Sequence, residues 1–123
     1  MIVVDTSVLI DSLSGKASTK KLRSLLEKGE RMLIPTLVLY EWLRGPRTPE
    51  ELQAQEALFP SESAVAFGPE EAAQAAKLYR IMKRSRGREI DLAIAACALV
   101  RDAEVWTLNP SDFSDVPRLR LTV

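Results

Sequence analysis

Three β-branched residues, Ile2-Val3-Val4, run without alternation straight into Asp5 and the hydroxyls of Thr6 and Ser7. So short an unalternating apolar run reads as a strand covered on both faces by helices. A carboxylate closing it stands at the carboxyl end of an inner parallel strand, the edge where open α/β sheets place their ligands. The rest of the chain must then supply the covering layers.

It does so by alternation. Thr6 or Ser7 can cap a short helix reaching Leu13, broken by Ser14-Gly15-Lys16. Ser18 or Thr19 can cap a second, striped by Leu22, Leu25 and Leu26 and ended by Gly29. Residues 32–34 form a second strand, and Pro35-Thr36 open a helix from Leu37 to Arg44 that Gly45-Pro46 stops. Thr48-Pro49-Glu50-Glu51 carries a cap, a proline at the first helical position and a capping-box glutamate, and starts a helix to about Phe59. Residues 64–67 read as a third strand. Gly68-Pro69-Glu70-Glu71 starts a long helix whose Ala72, Ala75, Tyr79 and Met82 share a face, ending near Arg86-Gly87. A helix from about Glu89 to Val100 is apolar all round and so central. Residues 105–108 form a fourth strand, 109–112 a turn, and 119–123 alternate like a half-exposed edge strand. This order predicts an α/β fold, a three-layer α/β/α sandwich around a mainly parallel five-stranded sheet.

With 123 residues, 46% of them apolar, the chain can bury one core, so a single domain over 1–123 is expected. The first strand begins too early for a signal segment and no apolar run approaches membrane-spanning length, which predicts a soluble cytoplasmic protein. The single cysteine, Cys97, lies in an apolar run and reads as a small buried hydrophobe. Seventeen basic residues balance seventeen acidic ones, but Lys77 to Arg88 holds six bases and no acid. That run is a solvated helix face or a phosphate-contacting edge.

Histidine is absent, which removes imidazole bases, Ser-His-Asp relays and HExxH zinc sites; no P-loop or dinucleotide fingerprint occurs either. Chemistry must rest on carboxylates, hydroxyls, Lys or Arg. Glu41 sits among apolar neighbours in Leu37–Leu43, and an unpaired buried carboxylate is costly, so it needs a cation or an ion pair with Arg44. Asp91 opens the most apolar helix, where it serves either a site or the helix dipole. Asp112 and Asn109 lie in a turn that either could stabilise locally. The conjunction matters more than any one of these residues. Gathered carboxylates repel unless a divalent cation neutralises them, and an all-oxygen set selects a hard ion, Mg²⁺ or Mn²⁺.

Ile-Val-Val-Asp-Thr-Ser-Val-Leu-Ile, Ile-Pro-Thr-Leu-Val-Leu-Tyr-Glu-Trp-Leu-Arg-Gly, Ile-Asp-Leu-Ala-Ile-Ala-Ala and Thr-Leu-Asn-Pro-Ser-Asp-Phe, in that order, resemble a PIN domain and more narrowly the VapC-type ribonuclease toxins. The resemblance spans nearly the whole chain. It implies a Mg²⁺- or Mn²⁺-dependent endoribonuclease acting as the toxin of a toxin-antitoxin pair, with an RNA substrate, a cognate antitoxin and homodimerisation. The family's catalytic acids fall on Asp5, Glu41 and Asp91, with Asp112 as the fourth and Asn109 in reserve; Asp5, Asp91 and Asp112 would hold the metal. Thr6 or Ser7 matches a hydroxyl that orients a ligand or water. Arg44, Arg86 and Arg88 are candidate RNA contacts, and Leu52, Leu58 and Phe59 a candidate dimer face. Many relatives carry His where this chain has Ile90, which removes a possible supporting group but no ligand. Phosphatases with an aspartyl nucleophile need a second Asp where Ser7 stands. The remaining alternatives are a non-catalytic PIN-like RNA- or protein-binding module and an RNA-processing nuclease that is not a toxin.

Overall fold

The structure, a computed structural model, describes residues 1–122. Among them the elements run β1 (Ile2–Val4), α1 (Thr6–Leu13), α2 (Thr19–Glu27), β2 (Met32–Leu33), α3 (Thr36–Arg44), α4 (Pro49–Leu58), α5 (Pro69–Ile81), α6 (Glu89–Val100), β3 (Glu104–Trp106) and β4 (Arg120–Leu121). The four strands lie in the order β2-β1-β3-β4, all parallel. The chain leaves β1 toward β2 on one side and later returns to β3 on the other. The carboxyl ends of β1 and β3 therefore flank the point where the winding reverses, where ligands gather in such sheets. Val4 is in register with Trp106, and the Asp5 N–H donates to the Trp106 carbonyl at 3.0 Å, so the two strand ends are tied together.

The predicted α/β sandwich holds, with one strand fewer than expected. Residues 64–67 form only an isolated bridge, Val65 beside Pro35: the Val65 N–H donates to the Ile34 carbonyl and the Thr36 N–H to the Val65 carbonyl. The reason lies in the partner segment, which turns into α3 at Thr36 and leaves nothing to extend the ladder. β4 sits at the edge as expected; Val123, the last residue of the predicted strand, lies outside the described residues.

Helix starts lie where expected, but two of the expected hydroxyl caps do not act. At α2 neither Ser18 nor Thr19 caps, because the Ser18 hydroxyl donates to Asp11 and the Thr19 hydroxyl to the Ser12 carbonyl. Asp5, rather than Thr6 or Ser7, caps α1, its Oδ1 accepting the Thr6 N–H at 2.8 Å. Both hydroxyls are thereby free to serve carboxylates. At α4 the capping box is complete: Thr48 Oγ1 accepts the Glu51 N–H at 3.1 Å and Glu51 Oε1 the Thr48 N–H at 2.8 Å. α5 stops at Ile81, several residues before Gly87, where the Ser85 hydroxyl donates to the Tyr79 and Met82 carbonyls and competes with helix continuation. Its inward stripe is also rotated. Glu71 and Leu78 are buried while Ala72 and Tyr79 are exposed, because Glu71 points in to pair with Arg101 at 2.9 Å.

α6 is the central helix, buried from Leu92 to Ala98, and its alanines let neighbours approach closely. Cys97 is fully buried, as its apolar surroundings predict, and burial pushes its thiol up to about 11. No helix among the described residues is long and apolar enough to cross a membrane.

The Glu71–Arg101 pair gives a stability prediction. The Glu71 carboxyl lies below its ordinary value, held there by its own backbone N–H, then by Arg101 and the Gly68 N–H. Glu71→Ala leaves the guanidinium without its partner and is expected to lower stability by ~2 kcal/mol in urea unfolding. Since the carboxyl is depressed, this contribution is present at neutral pH and disappears as pH falls through its folded value.

Candidate active site

Asp5 follows β1 and is buried, 6% exposed. Besides capping α1, it receives two hydroxyls on Oδ2: Ser7 Oγ donates at 2.9 Å and Thr107 Oγ1 at 2.8 Å. Each hydroxyl is itself oriented by a backbone donor, Ser7 by the Leu108 N–H at 3.0 Å and Thr107 by the Asn109 N–H at 2.9 Å. The segment after β3 thus grips the carboxylate that closes β1 and leaves it one orientation.

Glu41 comes from the middle of α3, between exposed Tyr40 and fully buried Trp42. Its Oε1 accepts the Thr6 hydroxyl at 2.5 Å, so Thr6 and Ser7, consecutive in the chain, orient two different acids. The expected Arg44 partner is present at 3.4 Å, but with Arg44 57% exposed this pair is loose and contributes little. Arg44 also lies over the Tyr40 ring, 5.3 Å from its centroid.

Asp91, the third residue of α6, is half-buried. Its carboxyl is pushed up to about 6, first by burial and then by the negative charges of Asp112, Asp5 and Glu41, with Arg88 pulling the other way. Those charges come from the end of β1, from the turn that follows β3 and from α3, and all act on the acid at the start of α6. Asp112 is exposed on the turn Pro110–Asp112, and its carboxylate makes no hydrogen bond to the described residues. Asn109 is exposed beside it without capping that turn through its side chain. The charge of Asp112 acts on Asp91.

No three acids among the described residues are gathered tightly enough to hold a metal ion as they stand. The donor chemistry nevertheless suits a hard cation. The set is all-oxygen, Asp5 is pre-oriented, Asp112 is unengaged, and Asp91 is under like-charge pressure that a cation would relieve. A cavity of ≈ 560 Å³ lined by Gln74, Lys77, Leu99 and Arg118 contains none of these four acids.

The three candidate arginines differ. Arg86 is exposed and Arg44 largely so, while Arg88 forks onto Asp115 at 2.7 and 2.8 Å with only 17% of its side chain exposed. Thr107 is the site residue that sequence reasoning missed. Its signal was a hydroxyl closing a strand, which carries meaning only once β3 is known to lie beside β1.

A family model for the PIN domain matches residues 2–119. Ribonuclease VapC19 of Mycobacterium tuberculosis is 34% identical over 123 residues, 98% of each chain. This chain is a PIN domain of the VapC ribonuclease family. DNA-bound VapBC from Salmonella typhimurium superposes with a TM-score of 0.79 at 20% identity, covering 98% of this chain and 96% of that one. A toxin-antitoxin complex from Klebsiella pneumoniae gives 0.73 at 24% identity, covering 95% and 93%. The PIN fold is thus shared well beyond the level at which sequences remain alike. Within it, Asp5 closes β1 at the reversal point of the sheet, and the Thr6 hydroxyl beside it reaches Glu41 on α3.

Proposed function

We propose that this PIN domain is a metal-dependent endoribonuclease that acts as the toxin of a toxin-antitoxin pair. The observation that carries the reading is the Asp5 carboxylate that closes β1, fixed by the Ser7 and Thr107 hydroxyls, with Glu41 held through Thr6. Asp91 agrees with it: burial first, then the charges of Asp112, Asp5 and Glu41, push its carboxyl up to about 6. The ribonuclease name of the 34% identical relative supports an RNA substrate, and toxin-antitoxin complexes among the structural neighbours support a protein antitoxin.

Asp5, Asp91 and Asp112 would hold Mg²⁺ or Mn²⁺. Such an ion lowers the pKa of a bound water and stabilises charge developing on a phosphodiester. Ser7 and Thr107 keep Asp5 from rotating, and Thr6 does the same for Glu41, which would orient the attacking water. Arg44, beside Glu41, and exposed Arg86 would offer phosphate contacts. Homodimerisation fits the family, but Phe59 is 4% exposed and belongs to the core, which leaves only Leu52 and Leu58 of the expected face. The protein is proposed to work in the cytoplasm.

Purified protein is expected to cleave single-stranded RNA with Mg²⁺ or Mn²⁺, to stop in EDTA and to recover on Mn²⁺ addition. Because a protonated carboxyl is a poor ligand, the half-saturating Mn²⁺ concentration should rise as pH falls below about 6, the value of Asp91. RNA bound but never cut would favour a non-catalytic module. Expression should arrest growth, and an adjacent reading frame encoding a small DNA-binding protein should relieve it; unaffected growth points to a processing nuclease instead.

A further inference from the structure

Asp112 stands on a short turn between β3 and β4, and its charge and that of Asp91 repel each other. Two buried side chains, Phe113 at 1% and Val116 at 4% exposure, plug the segment into the core. They set its depth but not the bearing of the exposed residue beside them. Bearing comes from Arg88. Its Nη2 donates to the Asp112 carbonyl at 2.8 Å and to Asp115 Oδ1 at 2.7 Å, and its Nη1 to Asp115 Oδ2 at 2.8 Å and the Arg84 carbonyl at 2.9 Å. A planar fork filled in this way holds direction as well as distance. The Arg88 carbonyl also accepts the Leu92 N–H at 2.9 Å, so the same residue is built into the first turn of the helix that bears Asp91.

We propose that Arg88 is the positioning residue of the fourth acid, tying the Asp112–Asp115 segment to the start of α6 so that Asp112 stays on station with Asp91. It is therefore engaged within the protein and not a contact for RNA. This inference rests on the reading of Asp112 as a metal ligand.

The test uses the full chain with three single variants, Arg88→Lys, Asp115→Asn and Asp112→Asn, and the Arg88→Lys/Asp112→Asn double variant. Mn²⁺ binding is followed by the paramagnetic resonance of the free ion. Amide exchange of residues 109–115 is followed by NMR without metal. Lysine keeps the charge and loses the fork, so Arg88→Lys should lower Mn²⁺ affinity about tenfold, as changes behind a metal ligand do. It should also lower kcat while KM for RNA stays within about twofold, since binding of the strand is untouched. Asp115→Asn should do likewise, and both should speed exchange at Asp112 and Phe113. The double variant should be no worse than Asp112→Asn alone, because both changes remove the same interaction.

A phosphate contact predicts a different pattern: higher KM for Arg88→Lys, lower KM for Asp115→Asn, and unchanged Mn²⁺ affinity. That result overturns the proposal, and Asp115→Asn decides the matter if Arg88→Lys fails to fold. If Asp112→Asn weakens Mn²⁺ binding while Arg88→Lys and Asp115→Asn do not, the metal reading stands and the positioning role falls. If Asp112→Asn leaves Mn²⁺ binding unchanged, Asp112 is no ligand and both fall.

Discussion

Asp91→Asn is expected to abolish RNA cleavage and, in EDTA, to make the protein more stable. The Asp91 carboxyl is raised from 3.8 to about 6 by burial and by the charges of Asp112, Asp5 and Glu41. At neutral pH it is ionised in a setting that favours its neutral form. Every tenfold change in proton affinity corresponds to about 1.4 kcal/mol, and solvent screening at this half-buried position reduces the total, so removing the charge should return about 1–2 kcal/mol. For a domain of this size that is a melting temperature about 4–8 °C higher. The sign with pH is equally definite. Between about pH 4 and 6 the folded chain retains a proton that the unfolded chain has released, so this group's contribution to stability is lost as pH rises through that window. The difference in stability between wild type and variant should therefore be small near pH 4 and largest above pH 6. Mn²⁺ should stabilise wild type and not the variant. A melting temperature lower than wild type at pH 7 in EDTA would remove the charge-crowding account of the site.

Asp5→Ala should abolish activity as completely, by more than about 100-fold, since it would delete a proposed ligand rather than a group behind one, yet its effect on stability should have the opposite sign. Asp5 caps α1 and accepts both Ser7 and Thr107. Losing the cap costs about 1 kcal/mol, and the two hydroxyls left short of an acceptor add a similar amount, so a loss of ~2–3 kcal/mol is expected in chemical unfolding. Asp5→Asn preserves the shape and the cap acceptor while the hydroxyls turn to accept, and should be inactive at smaller structural cost. One site would then contain one acid that stabilises the fold and one that strains it. A general weakening of structure cannot produce that pair of outcomes.

Much of this arrangement was legible along the chain. Asp5, Glu41 and Asp91 stand out because each interrupts an apolar run, a local contrast that needs no third dimension. The Thr48 capping box and the all-apolar α6 are local for the same reason. What was illegible depended on neighbours distant in sequence. Residues 64–67 have the residue types of a strand but lose their partner when the chain turns into α3 at Thr36. Tyr79 occupies a plausible inward face until Glu71 rotates α5 to reach Arg101. Phe59 reads as part of a surface, but the tertiary fold draws it into the core.

By itself, then, the sequence determined the fold class, the absence of imidazole chemistry and three carboxylates whose apolar settings demand a reason, because these follow from residue type and short-range pattern. Only the tertiary structure decided that β3 lies beside β1, which lets Thr107 hold Asp5, that Thr6 serves Glu41, and that Arg88 faces Asp115 rather than solvent. These are hydrogen bonds and charge contacts between segments up to 102 residues apart. Their existence depends on strand order and on distances of a few ångströms, which no local pattern encodes.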